Sequence, residues 1–451
     1  MKITQNSWSS LLHSEIISHL TIPSVRTSIS RLPRGRRRSG NRPGTGRHSR
    51  TSRFIASVPA IIARAIALVA LLAFCGATPA GSDNAKLGLA NPHRRSVSPS
   101  PWRQAGFDAA HTAYNRLEHI LSPSNVGLLT QAWASPVGVG TLYASPIMAG
   151  GRVYIGSGDG RMYAFDAATG ATLWIGEQQP LFFVDSAAEG DGLVFASAVY
   201  QPLLAYDAQT GAIVWTSSSV SDVRASPTFA HHVLYVASFE GALNALDAAT
   251  GVPIWSTPGQ CCVYDQAPVV DGGRVFQMRT DGTLTAYDSK DGTQLWSKPA
   301  FSVGTIAASH GTLFYNDYPN VVALDEATGA QLWATPVVTA ATTGAPAVAD
   351  GLVFVTQAQL IALNAATGAV VWTAQANSEW GPAVANGVVY ASSLNGEWDA
   401  FDERNGSLLW SVTVGTGGCS GACTNAVPVV ANGVLYLAGP DQYLRAFTIS
   451  R

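Results

Sequence analysis

From Ala144 onward the chain alternates between short apolar or alternating runs and brief polar turns. Ser145-Pro146-Ile147-Met148 is apolar and reads as a buried strand, and Arg152 to Ser157 alternates with β-branched residues, as a second strand should. Gly158-Asp159-Gly160 turns into a third run, Arg161 to Asp166, and Ala167-Ala168-Thr169-Gly170 turns again into Ala171-Thr172-Leu173-Trp174. The pattern predicts four antiparallel strands in about thirty residues, and then it recurs. Its tryptophans are Trp174, Trp215, Trp255, Trp296, Trp333, Trp372 and Trp410, spaced 41, 40, 41, 37, 39 and 38 residues apart. A period near 40 with four short strands per unit predicts a β-propeller with one blade per repeat.

The ends of the pattern give the blade count. The last unit, from Asn425 to Ser450, offers three strand segments and then stops, without a Trp-bearing outer strand. An eighth tryptophan, Trp133, lies 41 residues before Trp174 in an outer-strand phrase with nothing before it. Joined, the two halves make one blade. The prediction is an all-β, eight-bladed propeller of four-stranded antiparallel blades, closed by an N-terminal outer strand that hides the sheet edges.

The repeated phrase itself reads as structural. Asp166 can accept hydrogen bonds from its own backbone downstream, and Gly170 supplies the positive φ that closes the turn. Asp207/Gly211, Asp247/Gly251, Asp288/Gly292, Asp325/Gly329, Asn364/Gly368 and Asp402/Gly406 repeat the pair. Asn364 keeps the acceptor without the charge, which suits a turn and not a metal ligand. One tryptophan per outer strand cannot converge on a ligand, but it can pack between neighbouring blades.

Charge divides the chain. Residues 1–127 carry 17 Lys/Arg against 4 Asp/Glu, and residues 128–451 carry 10 against 25, beneath a net charge of only -2. The acidic propeller excludes nucleic acid as a partner. Residues 1–53 form a basic extension that reads as disordered, with most of its charge between Arg31 and Arg53. Residues 54–80 read as a signal peptide, with a retained membrane anchor as the alternative. The apolar run Ala65 to Phe74 has the length of a signal-peptide core and is too short to span a bilayer. Residues 81–127 read as a linker and entry segment, and 128–451 as the propeller. The expectation is a monomer, secreted or held in the periplasm and cell envelope, which touches membrane only through its N-terminal segment.

Function must lie where the repeats differ. Counting three residues back from the inner-strand proline or its equivalent gives Tyr143, Val184, Arg224, Asp265, Val303, Thr343, Glu379 and Asn425, with Asp185 beside Val184. Inner strands line the central channel, so this mixed polar set should crowd one mouth. It reads either as a polar pocket or as a hydrated channel without a ligand. Cys261-Cys262 and Cys419/Cys423 fall in equivalent loops on opposite sides of the ring. Opposite placement favours the local pairings Cys261–Cys262 and Cys419–Cys423 over bridges across the channel, and in an exported chain four cysteines suggest two disulfides. An adjacent-residue disulfide is strained, and such strain often marks a site. His231-His232 and His310 occupy matching turns and read as surface positions.

These residues resemble the pyrroloquinoline-quinone (PQQ) enzyme-repeat family of eight-bladed propellers over roughly 102–451. Trp102-Arg103-Gln104-Ala105-Gly106-Phe107-Asp108, followed by Thr112-Ala113-Tyr114-Asn115, is similar to the entry segment of those proteins. The family holds both quinone-dependent alcohol dehydrogenases and cofactor-free scaffolds, including the propeller lipoprotein of outer-membrane β-barrel assembly. In the dehydrogenases the resemblance implies a vicinal disulfide against the quinone, followed by an acidic residue and a cofactor-binding arginine. Here Cys261-Cys262-Val263-Tyr264-Asp265-Gln266 carries no arginine. By the same resemblance Trp380 could form an aromatic floor, Asp265 could be the general base, and Ca²⁺ could be held by Asp265, Glu379 and Asn425. Those three come from blades 4, 7 and 8, with Asp265 opposite Asn425. Arg224 is the one cation of the ring set, whereas PQQ is a tricarboxylate. The expectation is therefore a binding or scaffold propeller of the cell envelope with no cofactor, holding a protein partner or small ligand at the channel mouth. A PQQ- and Ca²⁺-dependent alcohol or sugar dehydrogenase is the alternative.

Overall fold

The computed structural model describes residues 101–450, apart from 140–143, 184, 218, 221, 224, 239–240, 260–265, 280, 301–304, 338–343, 377, 379, 393–395 and 416–425. Eight four-stranded antiparallel sheets follow one another along the chain, the last completed by Leu129–Pro136 alongside Tyr443–Ile449. This is the predicted eight-bladed propeller with its N-terminal closing strand. Blades 1 to 7 begin with the inner strands Ile147–Ala149, Ala188–Gly190, Thr228–Ala230, Val269–Asp271, Ala307–Ser309, Ala347–Ala349 and Ala383–Ala385; blade 8 begins with Val429–Ala431. Inner strands start about two residues later than the sequence pattern suggested, because the residues around each proline serve the loop face and not the sheet.

The outer wall repeats one joint. All of the repeat tryptophans except Trp410 lie tilted against an aromatic of their own blade's second strand, at ring-centroid distances of 5.8 Å for Tyr154–Trp174 and 5.9 Å for Phe195–Trp215, whereas Trp410 meets Phe447 of blade 8 edge-on at 5.4 Å. Each indole N–H then donates to a carbonyl of the next blade, as from Trp174 to Ala208 O and from Trp215 to Ala248 O, both at 3.1 Å. The circuit closes with Trp410 donating to Leu129 O and Trp133 to Ala167 O. The turn glycine completes the joint. Gly211 has φ +73, and a Cβ there would meet the Trp174 ring at 2.5 Å. It is thus required by both backbone conformation and the approach of the indole. The turn aspartates act as read from the sequence: Asp166 Oδ1 accepts the N–H groups of Ala168 and Thr169, and Asn364 Oδ1 those of Ala366 and Thr367.

The channel holds a feature outside the repeats. Residues 102–115 run around the inner edges of the ring and bond to the middle residue of every inner strand, in blade order. Trp102 and Met148 exchange two backbone bonds of 2.7 Å, and Arg103 O accepts the Glu189 N–H at 2.7 Å. Gln104 brackets Phe229 with its side-chain amide, accepting at 2.8 Å and donating at 3.3 Å. Ala109 O then accepts from Val270, Ala110 O from Ala308, Thr112 O from Val348 and Ala113 O from Val384, at 2.7–2.8 Å. Asn115 Nδ2 ends the series on Val430 O at 2.7 Å. Inner-strand edges would otherwise leave these amides without acceptors, each at a cost of about 1–3 kcal/mol when buried. The entry segment is therefore a clasp that bonds to the inner edge of every blade at the level of the strand midpoints.

Candidate functional site

The end of the channel where the inner strands begin is the place where the blades present their dissimilar loops. One residue before the proline register, serines link consecutive blades: Val427 N–H donates to Ser145 Oγ (2.7 Å), Ser145 N–H to Ser186 Oγ (3.2 Å) and Ser186 N–H to Ser226 Oγ (3.1 Å). Backbone N–H groups are thereby satisfied at the rim of blades 8, 1 and 2 without a sheet partner. Two residues before the register, the described positions are Ala144, Asp185, Ala225, Gln266, Gly344, Trp380 and Ala426. Five of the blades keep small or neutral residues there, and blades 2 and 7 stand out.

Asp185 is partly exposed by its surface area, yet enough protein surrounds its carboxyl that burial pushes it up to about 7. The surrounding bulk is the better guide here, since a residue in a narrow well can keep some accessible area while losing most of its hydration. Near neutral pH the group sits between its two forms and can donate or accept a hydrogen bond. Trp380 is half-buried, and Ser378 fixes its backbone by accepting the Trp380 N–H and donating to its carbonyl, each at 3.2 Å. Its indole N–H is buried and finds no acceptor among the described residues. Within the clasp, His111 is buried and its Nε2 lies 3.1 Å from Thr228 Oγ1, which donates to Pro268 O at 2.6 Å. Burial lowers His111 to about 4, so the ring is neutral.

Of the residues singled out from the sequence, Asp185 and Trp380 are placed at this end. Tyr143, Arg224, Asp265, Thr343, Glu379 and Asn425 lie outside the described residues, as do Cys261, Cys262, Cys419 and Cys423. His231 and His232 do form a surface turn, with φ values of +52 and +66, where the other seven blades carry glycine at the second position. His232 Nδ1 meets Asp191 Oδ2 of the neighbouring turn at 2.7 Å. Among the described residues no group of three His, Cys, Asp or Glu is arranged to hold a metal ion.

Two features escaped the sequence reading. One is the clasp, residues 102–115, which bonds to the inner edges of the strands that line the channel. Arg279, on the second strand of blade 4 (Arg274–Arg279), is a buried arginine at the loop face. Its position at the end of an otherwise ordinary strand gave no signal of burial.

Geometry and fold define an eight-bladed propeller of PQQ-type repeats. The family described as outer membrane protein assembly factor BamB matches residues 199–316 and 317–450, and the chain belongs to this PQQ-repeat propeller family. The β-propeller domain of glucose/ethanol/alcohol dehydrogenases matches residues 102–181, which include the clasp and blade 1. BamB of Burkholderia pseudomallei is 29% identical over 189 residues, covering 37% of this chain and 48% of that protein. The chain thus spans about half the length of that relative. Among solved structures, the quinohemoprotein alcohol dehydrogenase ADHIIG of Pseudomonas putida HK5 superposes with a TM-score of 0.65 at 15% identity, over 78% of this chain and 80% of that one. BamB of Moraxella catarrhalis gives 0.59 at 16% identity, over 71% and 99%. At such identities the two structures show the fold alone.

A quinone cofactor implied by half of this family can be tested against the wall. PQQ carries three carboxylates, and the described residues two before the proline register supply no cation. They supply instead one desolvated carboxyl, Asp185, which burial pushes toward its neutral form.

Proposed function

We propose that the protein is an exported scaffold propeller of the cell envelope that holds a protein partner at its loop face and works without a quinone. The observation that carries this reading is the clasp. Residues 102–115 tie the inner edges of all eight blades together, as a rigid platform for the loops would require. The described wall at the loop face offers hydrogen-bonding groups, among them the Asp185 carboxyl, which burial pushes up to about 7, and the buried Trp380 indole N–H, which has no acceptor among the described residues. The resemblance of residues 199–450 to a family named for outer-membrane assembly supports an envelope location, as does the signal-peptide-like segment 54–80.

A second reading has one observation in its favour: the dehydrogenase-type match over residues 102–181. In that reading the protein is a PQQ- and Ca²⁺-dependent alcohol or sugar dehydrogenase and Asp265 is the general base. Reconstitution separates the two. The scaffold reading expects no stoichiometric uptake of PQQ with Ca²⁺ and no reduction of an artificial electron acceptor by alcohols or sugars. It further expects a partner to crosslink to photoreactive side chains placed on the loop face and not to those placed near the His231-His232 turn. Tight PQQ uptake with acceptor reduction would overturn it.

A further inference from the structure

We propose that Glu403, buried in the joint between blades 6 and 7, is a proton-controlled switch. It is neutral when the joint is closed, and it loosens the joint and the adjoining end of the clasp when it becomes charged. Each repeat tryptophan docks its indole N–H on the carbonyl of one residue in the next blade. That residue is Ala167, Ala208, Ala248, Ser289 or Ala365 at five joints, and Leu129 at the closing one. At two joints it is a glutamate: Trp296 donates to Glu326 O at 3.1 Å, and Trp372 to Glu403 O at 2.9 Å. Blade packing takes both side chains out of solvent, leaving Glu326 3% and Glu403 4% exposed.

The two glutamates keep different company. Arg274, which opens the second strand of blade 4, donates to Glu326 Oε1 at 3.2 Å. In blade 6 the same strand position holds Leu352, since Arg274 pairs with the turn residue Asp288 and Leu352 with Asn364. Glu403 Oε1 is accordingly buried without a hydrogen-bond partner among the described residues. Residues 111–117, 347–355, 370–375, 383–391 and 399–406, which surround this joint, are all described.

A carboxylate buried without a cation is strongly disfavoured, so the closed joint holds the acid form. Burial, with the charges of Asp350 and Asp402 behind it, pushes Glu403 up to about 7, and only Arg404, exposed on the same turn, opposes them. Asp350 belongs to the inner turn of blade 6 and is shared with the clasp. Tyr114, itself pushed up to about 12 by burial, donates its hydroxyl to Asp350 Oδ1 at 3.0 Å. The clasp's Arg116 is tied to Asp108 at 3.2 Å. Charging Glu403 therefore sets a second anion near the carboxylate that anchors Tyr114. In an opened joint the carboxyl returns toward its ordinary 4.5. The joint thus keeps its full stability below pH 4.5 and loses it as pH rises through 7.

A local readout is needed, because His111 and Asp185 titrate over the same interval. Exchange of the Trp372 indole proton is followed by NMR in the full chain from pH 5 to 8. It is divided by that of Trp333, whose acceptor belongs to Ala365. The ratio should rise on the order of a hundredfold, about tenfold for each unit by which closure raises the carboxyl. It should stay flat in Glu403→Gln. Leu352→Arg supplies the guanidinium that blade 4 has, and should cut the rise to about tenfold or less. Carbon-13 spectra of glutamate-labelled chain follow the proton itself: a side-chain carboxyl that titrates near pH 7 in the wild type should be missing from Glu403→Gln. A wild-type ratio that does not change with pH would overturn the proposal, as would a rise that survives Glu403→Gln. Should that variant not fold, an undiminished rise in Leu352→Arg would overturn it equally.

Discussion

The propeller is held together twice, once at its outer wall and once at its inner edge, by opposite strategies. At the wall, one joint of tryptophan, turn carbonyl and turn glycine is copied around the ring, and the chain encodes it in every repeat. At the inner edge a single segment, residues 102–115, visits all eight blades and meets them in several ways: two-way backbone pairing at Met148, side-chain amides at Phe229 and Val430, and backbone carbonyls at Glu189 and from Val270 to Val384. A repeated joint tolerates the loss of one copy, because its neighbours remain. A segment used once does not. The eightfold ring thus depends on a part of the chain that has no eightfold character.

Removing the clasp should therefore have the largest effect. A chain beginning at residue 117 leaves the amides of Met148, Glu189, Val270, Ala308, Val348 and Val384 without acceptors. At about 1–3 kcal/mol each when buried, the loss rivals the whole stability of a domain, about 5–15 kcal/mol. Its denaturant curve should lose cooperativity. Retention of the wild-type midpoint would show the clasp to be ornamental. Breaking one copy of the outer joint should cost less: Trp215→Ala is expected to lower stability by about 3–5 kcal/mol while the transition stays cooperative.

A pH titration sharpens the same contrast, since the clasp carries a titrating group and the outer joint at Trp215 does not. His111 falls from 6.5 to about 4 on folding, so the unfolded chain binds the proton first as pH drops. Stability should be unaffected by this group above pH 6.5 and decline between 6.5 and 4, by roughly 3 kcal/mol in all at 1.36 kcal/mol per pH unit. His111→Gln should flatten that slope, whereas Trp215→Ala should leave it in place. The smallest effects separate two requirements on glycine. Gly211 and Gly192 share a positive φ, but a Cβ would strike Trp174 at Gly211 and meet nothing within 4 Å at Gly192. Gly192→Ala should cost about 1 kcal/mol, the backbone penalty alone. Gly211→Ala should cost clearly more by thermal unfolding.

Legibility in the sequence follows the same divide. Blade number, the closing strand at Trp133 and the turn roles of Asp166 and Asn364 could be read directly, because repetition turns a local side-chain pattern into evidence. The clasp could not. Its bonds run almost entirely through backbone carbonyls, which any residue supplies, and its segment has no hydrophobic period; Gly106, where a Cβ would strike His111 at 2.7 Å, was its one local sign. At the loop face, counting from the proline register brought out Asp185 beside Val184, and the family resemblance brought out Trp380. Arg279 was passed over, since a charged residue ending a strand is ordinarily solvated and burial by the adjacent blade leaves no mark in the sequence.

Native-state hydrogen exchange, read residue by residue, tests the central claim most directly. If the clasp binds every blade, the amides of Met148, Glu189, Val270, Ala308, Val348 and Val384 should exchange only through global unfolding, alongside the second-strand amides of the same blades. Exchange of these six at the rate of exposed loops, while the second strands stay protected, would contradict it.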